Sequence, residues 1–257
     1  MTKAKETWYS ERLSRDLTLC RWGEVGRPVL FFPTAAGDAE ECERFLLVDA
    51  LSDLLEAGRI KLYSCDSTAG MVWLKEDAST KGGARIQHAY DQALEHEVLP
   101  AIRKDCGDDA IELVVTGPSI GAFQALSMFL RHPYDVSHAI LMSGTYDLTQ
   151  KILRGPVDDA FVAASPMHFL PRLDPKGPTL TKARERLALI VTGTGRFEDP
   201  EQSWQLADML GAARIPNRVI EWEGWDHDWP LWRRMLPYYL DELFPAESSA
   251  TATTSDA

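Results

Sequence analysis

The sequence predicts an α/β fold with a mainly parallel central sheet, helices on both faces and an antiparallel hairpin at its N-terminal edge. Two observations carry this expectation. Short apolar, β-branched runs alternate with segments of helical periodicity, the pattern of strands joined by crossover helices. The first two runs, 8–13 and 16–22, are separated by only two residues and read as a hairpin.

The elements follow in order. Residues 28–32 form a buried strand that ends in the small-residue turn Thr34-Ala35-Ala36-Gly37. An acidic, then apolar helix covers 41–56 and stops at Gly58, and 60–65 is the next strand. Ile86, Ala89, Tyr90, Ala93, Leu94, Val98, Ala101 and Ile102 recur at helical spacing, which predicts a long helix kinked at Pro100. A strand over 111–116 leads into a helix over 122–132 stopped by Pro133. Beyond it come a strand at 139–142, a long excursion, a strand at 187–192, a helix around 202–213, a strand near 218–222 and a closing helix from Pro230 to 243. Residues 246–257 are low in complexity and expected to be disordered, so 1–245 reads as one domain, with 145–186 as a cap or insert.

Between the strand at 111–116 and its helix stands Gly117-Pro118-Ser119-Ile120-Gly121. A Gly-x-Ser-x-Gly in a strand-to-helix turn has the form of a nucleophile elbow. The glycines remove side chains where the turn is too tight for a Cβ, and the serine hydroxyl points out at the top of the sheet. The same turn places the Ile120 N–H at a helix N-terminus, where it can face a developing oxyanion. A second donor is expected from the turn at 34–37, from the N–H of Ala35 or of Thr34.

A nucleophilic serine needs a base, and the base an orienting acid. His227 lies in the loop between the last strand and the last helix, and is the expected base. His168 has no strand ahead of it and reads as a lining residue. The loop after the strand at 187–192 offers Glu198 and Asp199. Asp directly before a first-turn Pro is a favoured N-cap, which assigns Asp199 to the helix opened by Pro200 and Glu198 to His227, with Asp199 as the alternative acid. Asp226 and Asp228 flank His227, and sequence neighbours seldom turn their side chains to meet. Trp73, His168 and Trp229 are the candidate substrate contacts, in segments that could equally be packing.

These pieces together resemble the putative-esterase branch of the α/β-hydrolases, the group that includes esterase D (S-formylglutathione hydrolase) and the mycolyltransferase antigens. The chain is most similar there to small bacterial esterases with a Phe-Pro-Thr oxyanion segment and a His-Asp-Trp-Pro histidine loop. The matching residues are Phe32-Pro33-Thr34-Ala35-Ala36-Gly37, Asp66-Ser67, Gly117 to Gly121, Ser165-Pro166 and His227-Asp228-Trp229-Pro230-Leu231-Trp232, spread over essentially the whole chain. The resemblance implies the α/β-hydrolase fold and puts the family's acid at Glu198. Pro118 departs from relatives that carry Cys, Trp or His there, but its missing N–H is not an oxyanion donor. The implied reaction is ester hydrolysis through an acyl-enzyme on Ser119. The alternatives are acyl transfer to an alcohol or sugar, and a non-catalytic binding protein on the same scaffold.

Composition is that of an ordinary globular protein, 45% hydrophobic and 26% charged over 257 residues. A formal charge of −12 argues against nucleic acid or an anionic membrane as partner, leaving a small-molecule ester. The N-terminal residues are polar with no apolar core of a signal peptide behind them, and the four cysteines lack C-x-x-C spacing, so the cytoplasm is the expected compartment. No metal or organic cofactor is called for, and no heptad signals an oligomer.

Overall fold

The computed structural model describes residues 2–35, 37–73, 80–151 and 157–246. Strands β1 (Lys3–Ser10) and β2 (Arg15–Trp22) form the expected antiparallel edge hairpin. β2 pairs antiparallel with β4 (Ile60–Cys65). From there the sheet is parallel through β3 (Arg27–Phe31), β5 (Leu113–Pro118), β6 (Val136–Met142), β7 (Leu187–Gly193) and β8 (Asn217–Trp222). The order across the eight strands is β1-β2-β4-β3-β5-β6-β7-β8.

Every residue of β4 and β5 is buried, as a parallel strand covered on both faces requires. Alternation then sends neighbours to opposite sides. Leu30, Val115, Leu141 and Ile190 belong to one core, while Val29, Val114, Ile140 and Leu189 belong to the other. The first core is covered by α5 (Thr80–Ala93), α6 (Leu99–Cys106), α7 (Ile120–Arg131) and α12 (Pro200–Ala212). The second is covered by α1 (Glu41–Arg44), α2 (Leu47–Ala50), α3 (Ser52–Glu56) and α13 (Trp229–Leu243). Short helices α8 (Leu148–Lys151), α9 (Asp159–Ala164), α10 (Pro166–Phe169) and α11 (Pro178–Ala183) occupy the excursion between β6 and β7, and α4 (Thr68–Trp73) follows β4.

Three elements depart from the sequence reading. The first hairpin strand covers Lys3–Ser10 rather than 8–13, and the turn takes up residues 11–14. The single helix expected over 41–56 is broken into α1, α2 and α3: Leu46 takes a left-handed conformation (φ 60°) that no continuous helix accommodates, and Leu51 leaves the helical region again (φ −97°, ψ 3°). The long helix kinked at Pro100 is continuous in path, but Leu94–Val98 widens into a π-turn between α5 and α6. Pro100 lacks an N–H and its ring crowds the carbonyl four residues back, and the wider turn just upstream accommodates that conflict. The tail expected to be disordered lies, apart from Ala246, outside the described residues, as does Ala36 of the turn at 34–37. Among the described residues no helix is long and apolar enough to cross a membrane.

Candidate active site

Ser119 caps α7 at the end of β5 with φ 56° and ψ −121°. A non-glycine residue in this region costs on the order of 1–3 kcal/mol and persists only where its surroundings fix it. Here they do. The Ser119 N–H donates to Met142 O (3.0 Å), and its carbonyl accepts from the N–H groups of Ala122 (3.1 Å) and Thr145 (3.2 Å). The residue is left partly exposed at the carboxyl edge of the sheet. Close approach of the preceding loop makes Gly121 obligatory: a Cβ there would lie 2.2 Å from Phe32 O and 2.8 Å from Pro33 O. Gly121→Ala is therefore expected to destabilise the fold by about 3 kcal/mol, the upper end of the usual overpacking cost, measurable by chemical denaturation.

The histidine and acid loops meet at the ends of β7 and β8. His227 Nδ1 lies 3.5 Å from Glu198 Oε2; the imidazole keeps 22% of its surface exposed and the carboxylate 1%. Backbone bonds stitch the two loops together. Gly195 N–H donates to Trp225 O (2.8 Å), and His227 N–H donates to Arg196 O (3.0 Å). Asp226 Oδ1 accepts from the Arg196 N–H at 2.7 Å, which occupies it away from the imidazole. Asp228 accepts from the Trp229 N–H at 2.7 Å as the N-cap of α13. The Gly193-Thr194-Gly195 turn looks unremarkable in the sequence, yet a Cβ on Gly195 would sit 2.4 Å from Asp226 Oδ1. Loop contact of this kind has no local signature.

Asp199 does stand at the N-cap position of α12, but its carboxylate makes no side-chain cap to the backbone. Its Oδ2 accepts from the Gln202 side-chain amide at 3.2 Å instead, one turn along the helix. Among the described residues Glu198 has three polar neighbours: Ser143 Oγ at 2.6 Å from Oε1, Thr192 Oγ1 at 3.1 Å from Oε2, and His227. Its buried charge also helps push the Tyr146 hydroxyl above its ordinary range, although burial of the phenol is the larger cause. Among the described residues Ser119 Oγ makes no hydrogen bond. Such contacts are often long before substrate binds and tighten in the complex.

The loop after β3 is held by a residue that sequence reasoning missed. Glu41, 6% exposed, accepts from Thr34 twice, from the backbone N–H at 2.7 Å and from Oγ1 at 2.5 Å. Burial pushes the Glu41 carboxyl upward, and the two Thr34 bonds partly reverse that. The Thr34 N–H is thus engaged. The Ala35 N–H has no partner among the described residues.

Of the three candidate substrate contacts, Trp73 and His168 both pack against Phe161, while Trp229 packs with Phe45 and Trp232. Trp73 is fully buried, donates to Gln87 Oε1 (3.1 Å) and packs edge-on to Phe123 and Phe161, so it backs the wall rather than facing an open space. His168 is partly buried beside Phe161, with Nδ1 2.9 Å from Ser165 Oγ. Trp229 is nearly buried, stacked on Phe45 at 4.7 Å and edge-on to Trp232, whose ring in turn meets His227 edge-to-face at 5.2 Å. Among the described residues no group of three or more His, Cys, Asp or Glu side chains could hold a metal ion.

Solved structures share this architecture at low identity. The chain superposes on a ferulic acid esterase with a TM-score of 0.70 at 17% identity, covering 95% of this chain and 97% of that one. An S-formylglutathione hydrolase from Agrobacterium tumefaciens gives 0.66 at 14%, covering 94% and 92%. The enterobactin esterase of Shigella flexneri gives 0.66 at 17%, covering 95% of this chain and 59% of that one. At such identities the likeness establishes the α/β-hydrolase fold alone. No curated protein matches the chain. Residues 64–243, from the last residues of β4 to the end of α13, match the model of the family described as "Putative esterase". That span includes Ser119, Glu198 and His227, and the chain accordingly belongs to this esterase family, whose reaction is the hydrolysis of carboxylic esters.

Proposed function

We propose that the protein hydrolyses carboxylic esters through an acyl-enzyme on Ser119, with His227 as general base and Glu198 as its orienting acid. The observation that carries this reading is the placing of a strained, outward-facing Ser119 at one strand end and a Glu198–His227 pair two and three strands away, on the same edge of the sheet. His227 Nε2 takes the hydroxyl proton as Ser119 Oγ bonds to the ester carbonyl carbon, and the carbonyl electrons move onto oxygen. The N–H groups of Ile120 and Ala35 face that oxygen; Thr34 is the weaker candidate because its N–H already serves Glu41. Collapse breaks the bond to the alcohol, which leaves with the proton from His227. Water then gives its proton to His227 as it attacks the acyl carbon, and a second collapse frees the acid and returns the proton to Ser119.

His168 and Trp229 are the residues we place nearest the substrate, with Trp73 supporting the wall from behind. Hydrolysis of p-nitrophenyl esters from acetate to decanoate tests the reading. Turnover with an optimum chain length is expected for the native protein and background rates for Ser119→Ala; equal rates from the two would refute it.

A further inference from the structure

We infer that Ser143 is a positioning residue of the catalytic machinery, holding the orientation of Glu198, the carboxylate that faces His227, through a hydroxyl whose own proton direction is fixed. The inference rests on the triad reading above. Ser143 directly follows β6, next to Met142, whose carbonyl holds the Ser119 N–H. It is 3% exposed and takes a left-handed conformation, φ 47°, like Ser119 itself. Its own N–H donates to Val191 O at 2.6 Å, so the backbone is anchored to β7 just before Thr192. Non-glycine residues held in that region mark positions where the surroundings impose a particular side-chain direction.

The direction here is unambiguous. Trp232 Nε1 lies 3.0 Å from Ser143 Oγ, and an indole nitrogen can only donate. The serine oxygen therefore accepts from Trp232, and its single proton goes to Glu198 Oε1 at 2.6 Å. With the hydroxyl rotor so committed, Glu198 is held as an acceptor at Oε1. Its other oxygen, Oε2, faces His227 Nδ1. An acceptor carboxylate there keeps the imidazole proton on Nδ1 and leaves the Nε2 lone pair toward Ser119. Thr192 cannot substitute for Ser143, since its hydroxyl lies 3.1 Å from both Glu198 Oε2 and the Gly193 carbonyl and has one proton for the two. Trp232 acts twice: its N–H sets the Ser143 rotor, and its ring meets the imidazole edge-to-face at 5.2 Å.

A glutamate makes this support necessary. It has one more rotatable bond than aspartate, and a buried carboxylate must be held from both oxygens to keep its angle to the imidazole.

The test compares Ser143→Ala and Ser143→Gly, alone and combined with Glu198→Ala, on the p-nitrophenyl ester turned over fastest. Both single variants lose the hydroxyl, while glycine also relieves the left-handed backbone, so a fold defect would separate them and a positioning defect would not. We expect both to lower kcat by about 10- to 100-fold, the usual worth of a hydrogen bond to a charged group, with KM unchanged. In the Glu198→Ala background the same substitutions are expected to add less than twofold, because Ser143 works only through that carboxylate. Unchanged kcat in both single variants, or a full additional loss without Glu198, would overturn the assignment. Failure of the triad reading would show differently, as native rates in Ser119→Ala or His227→Ala.

Discussion

Replacing His227 by alanine is expected to reduce kcat by about 10⁵- to 10⁶-fold, the loss seen when a triad base is removed and only oxyanion and binding contributions remain. All four proton transfers of the proposed cycle pass through Nε2, so no step before or after the acyl-enzyme is spared. The side chain is 22% exposed and contributes no large apolar area to either core, so thermal unfolding is expected to change little. The backbone bond from His227 N–H to Arg196 O survives the substitution, and with it the meeting of the two loops. Residual activity within tenfold of native would mean that another group accepts the serine proton.

Glu198→Gln should cost about 10⁴-fold in kcat with little change in KM, and for a reason that the surrounding donors dictate. Ser143 delivers a proton to Oε1, while Thr192 and His227 face Oε2. An amide offers only one acceptor oxygen. If that oxygen stays with Ser143, the NH2 faces His227 Nδ1 and forces the imidazole into the tautomer whose Nε2 carries the proton, useless as a base. If the amide turns over, the NH2 meets the Ser143 hydroxyl proton instead, and a buried hydrogen bond is lost at a cost of about 1–3 kcal/mol. The two outcomes separate experimentally: the first leaves stability intact and removes activity, the second lowers stability and spares part of the activity. Asp199→Asn, by contrast, should leave kcat within a few-fold of native, since that carboxylate accepts from Gln202 one turn into α12.

How much of this is legible in the sequence follows from how local each signal is. The elbow is readable because all its causes are contiguous in the sequence: a β-branched strand, two glycines and a helix former on the far side. That the loops carrying Glu198 and His227 meet is readable from chain order, since parallel strands place consecutive post-strand loops side by side; the choice of Glu198 over Asp199 rests on an N-cap bond that the Asp199 carboxylate does not make. Ser143 carries no such mark. It follows an apolar strand as any turn serine might, and its partners stand 55 and 89 residues away. Glu41 is hidden differently, because it opens what reads as an ordinary amphipathic helix; only the fold bends it back onto Thr34. The same segment misleads about secondary structure, since a run of helix formers outweighs Leu46 until tertiary packing turns that residue left-handed. Trp73 misleads through composition. A tryptophan in a loop-rich segment suggests a pocket wall, but a hydrogen bond to buried Gln87 and edge contacts to two phenylalanines take it into the interior.

The central claim is that Ser119 is the nucleophile, and the most direct test is a fluorophosphonate probe with the modified residue located by peptide mass spectrometry. The account predicts a single adduct on Ser119 in the native protein. It predicts slow labelling at that residue in His227→Ala, where the proton acceptor is gone but the strained elbow remains, and none in Ser119→Ala. An adduct on another residue, or labelling that persists in Ser119→Ala, would contradict it.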